Sequence, residues 1–131
     1  KNTFDVVILE TPCSGIGTIR RNPDILFKKN PPNLSDLTNL QLALLNKAKK
    51  LLKKGGVLIY MVCSFLNEEI KEIKKEFLDQ NKNFAQLKFT SEKEKDFKNF
   101  LDCDGDINCI PHNFKGFNID GFYGVKFIKN I

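Results

Sequence analysis

Two apolar runs, each closed by a short polar turn, organise the chain. Phe4-Asp5-Val6-Val7-Ile8-Leu9 is β-branched and lacks polar alternation, the pattern of a buried parallel strand. Glu10-Thr11-Pro12-Cys13-Ser14-Gly15-Ile16-Gly17 follows it, setting a carboxylate, a rigid Pro, a thiol and two glycines at the strand's carboxyl end. Val57-Leu58-Ile59-Tyr60-Met61-Val62 is a second apolar strand, and it delivers Cys63-Ser64 in the same manner. Ligands of open α/β sheets bind outside the carboxyl ends of the strands. Two thiols at the ends of neighbouring strands are therefore the leading functional clue.

The intervening residues carry helical spacing. Cys13 to Pro32 reads as a long loop, with a turn at Asn22-Pro23-Asp24 and a block to helix at Pro31-Pro32. Ser35 is a candidate N-cap. From Asp36 to about Lys53, Leu37, Leu40, Leu44, Leu45, Ala48, Leu51 and Leu52 recur at helical spacing, and Gly55-Gly56 is placed to end that helix. Asn67-Glu68-Glu69 predicts another helix start, with acids suited to the dipole, and Ile70, Ile73, Phe77 and Leu78 form its apolar stripe to near Asn81. Phe84 to Phe89 alternates like a strand near a sheet edge. Residues 90–106 read as a charged loop with a short helix around 93–100. Ile107 to Ile110 predicts a short strand, and Gly121 to Ile128 a returning antiparallel one.

The order β-α-β-α-β followed by a returning strand predicts one α/β domain over residues 1–131, with parallel pairing and right-handed crossovers. It amounts to half of a doubly wound sheet, which leaves one edge and one face open. The chain begins at Lys1, and its first strand starts almost at once. The expectation is a partial domain completed by an upstream half.

Composition narrows the class. The 131 residues are 41% hydrophobic and 28% charged, ordinary for a globular protein. No apolar run approaches a membrane span and no signal-peptide pattern is present, so a cytoplasmic chain without a membrane partner is expected. The net charge of +5 suits an anionic partner such as nucleic acid. Four cysteines without a secretory signal read as reduced thiols.

Phe4-Asp5 through Arg20-Arg21-Asn22-Pro23-Asp24-Ile25 resembles the motif IV region of RsmB/Sun-type RNA cytosine methyltransferases, Asp-Ala-Pro-Cys-Ser-Gly-x-Gly followed by Arg-Arg-x-Pro-Asp-Ile. Gly55 to Ser64, followed by Asn67-Glu68-Glu69, resembles the family's motif VI region, Gly-Gly-x-Leu-x-Tyr-x-Thr-Cys-Ser. Pro111-His112 and Asp120-Gly121-Phe122-Tyr123 resemble its closing segment. Glu10 stands where the family has Asp, one methylene longer, and Val62 where it usually has Thr. The resemblance implies the carboxyl-terminal half of a Rossmann-like methyltransferase fold that uses S-adenosylmethionine (SAM). It also implies that the glycine-rich SAM loop lies upstream.

The implied chemistry is methylation of carbon 5 of cytosine, a poor nucleophile until a thiolate adds to carbon 6. By resemblance, Cys63 is that nucleophile and Cys13 assists proton removal and enzyme release. The placement of Cys63 just before a helix start suits thiolate formation. Glu10 is read as contacting SAM, as hydrogen-bonding the target base, or as capping amides in its own turn. Pro12 fixes the turn that presents Cys13. Arg20 and Arg21 suit phosphate contacts to RNA or form a solvated pair. The implied partner is RNA, ribosomal RNA by family expectation, bound by a monomer.

Other constellations are weaker. Cys103, Cys109 and His112 match no common zinc spacing and lack a fourth ligand, so a loop thiol, a buried thiol and no metal are expected. Phe122 and Tyr123 read as core strand residues. A cysteine hydrolase is disfavoured, because the single histidine, His112, has no evident orienting partner. The rival class is a noncatalytic RNA-binding α/β module with inert cysteines.

Overall fold

The computed structural model describes residues 3–90 and 95–130. Among the described residues, seven strands and two α-helices occur in the order β1 (Phe4–Glu10), α1 (Leu34–Ala48), β2 (Leu52–Val62), α2 (Lys71–Gln80), β3 (Phe84–Leu87), β4 (Ile107–Cys109), β5 (His112–Phe114), β6 (Phe117–Ile119) and β7 (Phe122–Lys129). The main sheet runs β1-β2-β7-β3, with β4 also on β7. β1 and β2 are parallel neighbours. The returning strand β7 inserts antiparallel between β2 and β3, and β3 and β4 share its far side end to end. The fold is thus α/β with parallel strands and a final antiparallel one.

Register places the core on one face. Leu58 pairs with Val7 and Phe127, Tyr60 with Leu9 and Val125, and Val62 with Tyr123. Directly paired residues point to the same side of a sheet. Leu45 and Ala48 of α1 and Ile73 and Phe77 of α2 close over that side. Phe77 contacts Phe127 at 4.7 Å and Phe84 at 5.3 Å between ring centroids. The opposite side carries Val6 and Ile8, 52% and 63% exposed. β1 is therefore not the buried strand its composition predicts. It lies at the sheet edge with one face uncovered, and its apolar run splits between core and solvent.

Other departures have local causes. Asn33, not Ser35, caps α1, accepting from the Ser35 and Asp36 amides through Oδ1 at 2.9 and 3.3 Å. Gly55-Gly56 does not end that helix, which stops at Ala48 and passes through a 3-10 turn, Lys49–Leu51. Both glycines lie inside β2, where the register jumps between Phe4↔Leu52 and Val6↔Val57. Gly55 takes the positive φ of 73° that this bulge needs. Leu52 is fully buried, so core packing recruits the end of the presumed helix into the strand. Leu40 and Leu51 of the predicted stripe are exposed, and Gln41 is buried in their stead.

The loop from Cys13 to Pro32 contains short turns at Ile16–Thr18 and Pro23–Phe27. Asn67–Glu69 is likewise a 3-10 turn ahead of α2. The helix expected around 93–100 is a 3-10 turn, Lys95–Phe100, within the described residues; residues 91–94 lie outside them. The β5–β6 hairpin was not signalled by periodicity. Its Lys115-Gly116 turn has φ of 49° and 85°, the pattern of a two-residue primed turn.

Beside α2, Asp102, Asp104 and Asp106 cluster with ligand oxygens within 4.8 Å of one another. Lys71 and Lys74 supply the positive charge among them: Lys74 donates to Asp104 at 2.9 Å and to buried Asp106 at 2.7 Å. Their ammonium groups hold the Asp104 carboxyl down at about 2. Tyr123 and Gln86 complete the Asp106 contacts at 2.8 and 2.7 Å. Cys103 is exposed and Cys109 buried, the loop thiol and buried thiol expected. His112 Nδ1 lies 2.7 Å from the Ile110 carbonyl.

Phe77 bridges α2, β3 and β7. Its truncation to Ala is expected to cost about 3–5 kcal/mol, read as a lowered unfolding midpoint in the protein that carries this chain.

Candidate active site

Parallel pairing of β1 with β2 brings the two polar turns together. The ladder runs to Glu10↔Met61 and continues as the Thr11 N–H donating to the Met61 carbonyl at 3.3 Å. Cys13 and Cys63 thus leave adjacent strand ends on the same edge of the sheet, as the apolar runs predicted. The Gly17 N–H donates to the Cys63 carbonyl at 3.0 Å, and the Gly121 N–H donates to the Gly17 carbonyl at 2.6 Å. Three chain segments therefore meet at Gly17: the turn after β1, the end of β2 and the start of β7. The approach is too close for a side chain, since a Cβ on Gly17 would lie 2.2 Å from the Gly121 oxygen and 2.9 Å from the Cys63 carbonyl carbon.

Neither thiol is preset as a thiolate. Burial, then the Cys13 thiol, then Glu10 and Asp120 push the Cys63 thiol above its ordinary 9.0, and Arg21 opposes them. Burial also raises Cys13, against the backbone N–H groups of Gly15 and Cys63 that favour its charged form, while Glu69 and Glu10 raise it further. The helix expected just after Cys63 begins only at Lys71, and the acidic segment Asn67–Glu69 before it is a 3-10 turn. These influences place Cys13, Cys63, Glu10, Asp120 and Arg21 in one electrostatic neighbourhood.

Arg20 and Arg21 are exposed and both engage Asp120. Arg21 holds Asp120 Oδ2 at 2.6 Å through both Nε and a terminal nitrogen, and Arg20 reaches Oδ1 at 3.4 Å. The Arg21 guanidinium holds the Asp120 carboxyl below its usual range. This pair ties the turn after β1 to the residue preceding Gly121, and both side chains keep exposed faces. Glu10 is exposed at the strand end, available to a ligand. Pro12 is exposed and its carbonyl accepts from Gln41 Nε2 at 3.0 Å.

The sequence reading missed the residues that support the turn. Glu69 is fully buried and accepts from the Ser14 N–H at 2.8 Å, the Ser14 hydroxyl at 2.6 Å and Gln41 Nε2 at 3.0 Å. The Tyr60 hydroxyl donates to the Glu69 backbone carbonyl at 2.8 Å and lies 3.1 Å from Gln41 Oε1. A Glu in an acidic first turn reads as a surface complement to a helix dipole, which hid its role. Gln41, a polar position inside a Leu stripe, was the available signal.

Two measurements test this geometry. Gly17→Ala is expected to destabilise by at least 1–3 kcal/mol through overpacking, seen in the unfolding midpoint, because backbone atoms must move. Iodoacetamide labelling of Cys63, followed by peptide mass analysis, is expected to keep climbing as pH rises past 9.0. A plateau below that pH would show a thiol activated in the resting protein.

Comparison with known proteins agrees with this architecture. The model of the family described as 16S rRNA methyltransferase RsmB/F matches residues 1–128. The chain is 33% identical over 121 residues to a probable ribosomal RNA small subunit methyltransferase B of Bacillus subtilis (strain 168), covering 92% of this chain and 26% of that protein. It is 36% identical over 126 residues to ribosomal RNA small subunit methyltransferase B of Yersinia enterocolitica, covering 96% of this chain and 26% of that protein. Among solved structures, that of PH0851 superposes with a TM-score of 0.80 at 29% identity, over 98% of this chain and 27% of that one. The chain spans about a quarter of the length of the curated relatives it matches. With nearly all of its residues matched by the family model, the chain belongs to the 16S rRNA methyltransferase RsmB/F family.

Proposed function

We propose that this chain is the thiol-bearing part of a SAM-dependent enzyme that methylates carbon 5 of a cytosine in ribosomal RNA, in the cytoplasm. The observation that carries the proposal is the delivery of Cys13 and Cys63 by adjacent parallel strands to one sheet edge, cross-tied through Gly17. Two thiols facing one base meet two separate demands of the reaction. Cys63 gives its proton to solvent and adds its thiolate sulfur to carbon 6; an S–C6 bond forms as the C5–C6 π bond breaks, which makes carbon 5 nucleophilic. SAM, when bound, supplies the methyl group that carbon 5 takes. The proton on carbon 5 then leaves to Cys13, which takes it as a thiolate after giving its own proton to solvent. The electron pair left on carbon 5 restores the C5–C6 double bond, and the S–C6 bond breaks to return the Cys63 thiolate.

The donor set fits SAM in part. Glu10 offers an exposed carboxylate at the carboxyl end of β1, able to accept from an ammonium group or ribose hydroxyls. It is the residue of this chain assigned to the cofactor, with a contact to the polar edge of the base as the alternative. Arg20 and Arg21 present exposed guanidinium faces beside the site, and they position the RNA backbone while Asp120 holds their orientation. Pro12 sets the approach of the turn to the base. A target inside structured RNA reaches the thiols flipped out of its stack. The isolated 131 residues are expected to bind SAM poorly and to turn over negligibly.

Substitution separates this reading from a noncatalytic RNA-binding module. In the protein carrying this chain, Cys63→Ala is expected to abolish methylation, at least a thousandfold, while RNA affinity stays within about twofold. Cys13→Ala is expected to accumulate a covalent protein–RNA adduct that survives denaturing electrophoresis. Methylation retained in Cys63→Ala would overturn the nucleophile role and favour the module with inert cysteines.

A further inference from the structure

The turn that presents Cys13 is gripped on both sides of the cysteine. Its preceding carbonyl, on Pro12, accepts from Gln41, and its following amide, on Ser14, donates to Glu69. The Ser14 hydroxyl adds a second contact to the same carboxylate, on the other oxygen, at 2.6 Å. Glu69 itself belongs to the turn that follows Cys63 in sequence. One buried side chain therefore spans from the Cys63 segment to the residue next to Cys13.

Desolvation gives this contact its stiffness. A carboxylate at 0% exposure has lost its water and depends on protein donors to replace it. Two of its three donors come from Ser14 and the third from Gln41, which also holds Pro12. If the Cys13 turn drifted outward, the carboxylate would be stripped of those donors inside the protein. Charge-assisted bonds of this kind are the strong ones. The Gln41 amide is held in turn by the Tyr60 hydroxyl, itself buried on β2. Ser64 closes the bridge, its hydroxyl 3.4 Å from that of Ser14 while it accepts from the Leu66 amide.

We infer that Glu69 is a positioning residue that fixes Cys13 relative to Cys63, so that its loss impairs release of the methylated base more than attack on it. The inference rests on the two-thiol reading above. Cys63 follows the last residue of β2, and its carbonyl accepts from the Gly17 amide in a bond that involves neither Glu69 nor Gln41, so the attacking thiol keeps that support when the carboxylate goes. Cys13 sits in a turn whose adjoining peptide groups answer to Gln41 and Glu69.

The test uses the protein carrying this chain, an RNA substrate with the target cytosine, and SAM. Glu69→Met removes the acceptors at similar volume, Glu69→Gln keeps one oxygen and can rotate its amide toward the Ser14 hydroxyl, and Ser14→Ala removes only the 2.6 Å contact. Phe77→Leu, a core change outside the site, controls for destabilisation at a matched unfolding midpoint. Each variant is read for adduct fraction on denaturing gels, single-turnover methyl transfer and RNA affinity, beside Cys13→Ala.

Glu69→Met is expected to raise the adduct fraction about tenfold, the effect of losing a bond to a charged group, with RNA affinity within about twofold. Glu69→Gln is expected to recover most of that loss, and Phe77→Leu to leave the adduct fraction unmoved. Ser14→Ala is expected to show an intermediate rise, and it decides the matter should Glu69→Met fail to fold. Adduct trapped by Cys13→Ala, with Glu69→Met and Ser14→Ala slowing attack and release alike as Phe77→Leu does, would overturn the positioning role and leave the two-thiol reading standing. No adduct in Cys13→Ala would overturn both.

Discussion

Backbone contact at Gly17 is the constraint on which the site depends. Its amide reaches the end of β2 and its carbonyl reaches the residue before β7, so three strands are fastened at their functional ends by two hydrogen bonds. The clearance there is smaller than a methyl group, which makes the absence of a side chain a geometric requirement. The same point explains why β7 matters to a site that holds none of its side chains. Antiparallel insertion of β7 beside β2 returns its amino end to the edge where β1 and β2 finish. Asp120, one residue before Gly121, is thereby set against Arg21.

Two buried carboxylates do related work on opposite sides of the core. Asp106 is satisfied by Lys74, Gln86 and Tyr123, and so joins α2, β3 and β7. Glu69 is satisfied by Ser14 and Gln41, and so joins the turn after β1 to α1 and β2. In each case the donors come from segments distant in sequence, and a carboxylate that cannot reach water holds them together. Asp106 has an ammonium partner and belongs to an ion-paired cluster. Among the described residues Glu69 has only neutral donors, drawn from the Cys13 turn and the Gln41 that braces it, and this gives the carboxylate its leverage on that turn.

What could be read from the sequence was whatever periodicity or turn chemistry encodes locally. The adjacency of the Cys13 and Cys63 strand ends was legible, because a helical connection between apolar runs implies parallel neighbours. So was the apolar stripe of α2, in which Ile70, Ile73 and Phe77 are all buried. The glycine pair at 55–56 misled because glycine ends helices and also makes strand bulges, and only the burial of Leu52 decides between them. Exposure along β1 was illegible for a similar reason, since an apolar run does not say which of its faces is covered. The role of Glu69 was out of reach of any local rule, and that of Gln41 was marked only by a break in the Leu stripe. Their environment is made by Ser14, Pro12 and Tyr60, and a first-turn acid on the surface has the same sequence signature as one turned inward.

The resting charge state of the thiols completes the account. Two cysteines close enough to influence one another are at risk of pairing, and that reaction proceeds through a thiolate. Both are free, and burial together with the carboxylates of Glu10 and Asp120 keeps the Cys63 proton on. A site built to show a permanent thiolate would place cations or a helix N-terminus against it. This one sets a single guanidinium nearby and shares it with Asp120. On the proposed reading, a substrate that relieves this local balance makes the proton on Cys63 easier to lose. Reactivity then belongs to the assembled complex and not to the resting protein, and a fixed separation between the thiols becomes more important than a low pKa at either one.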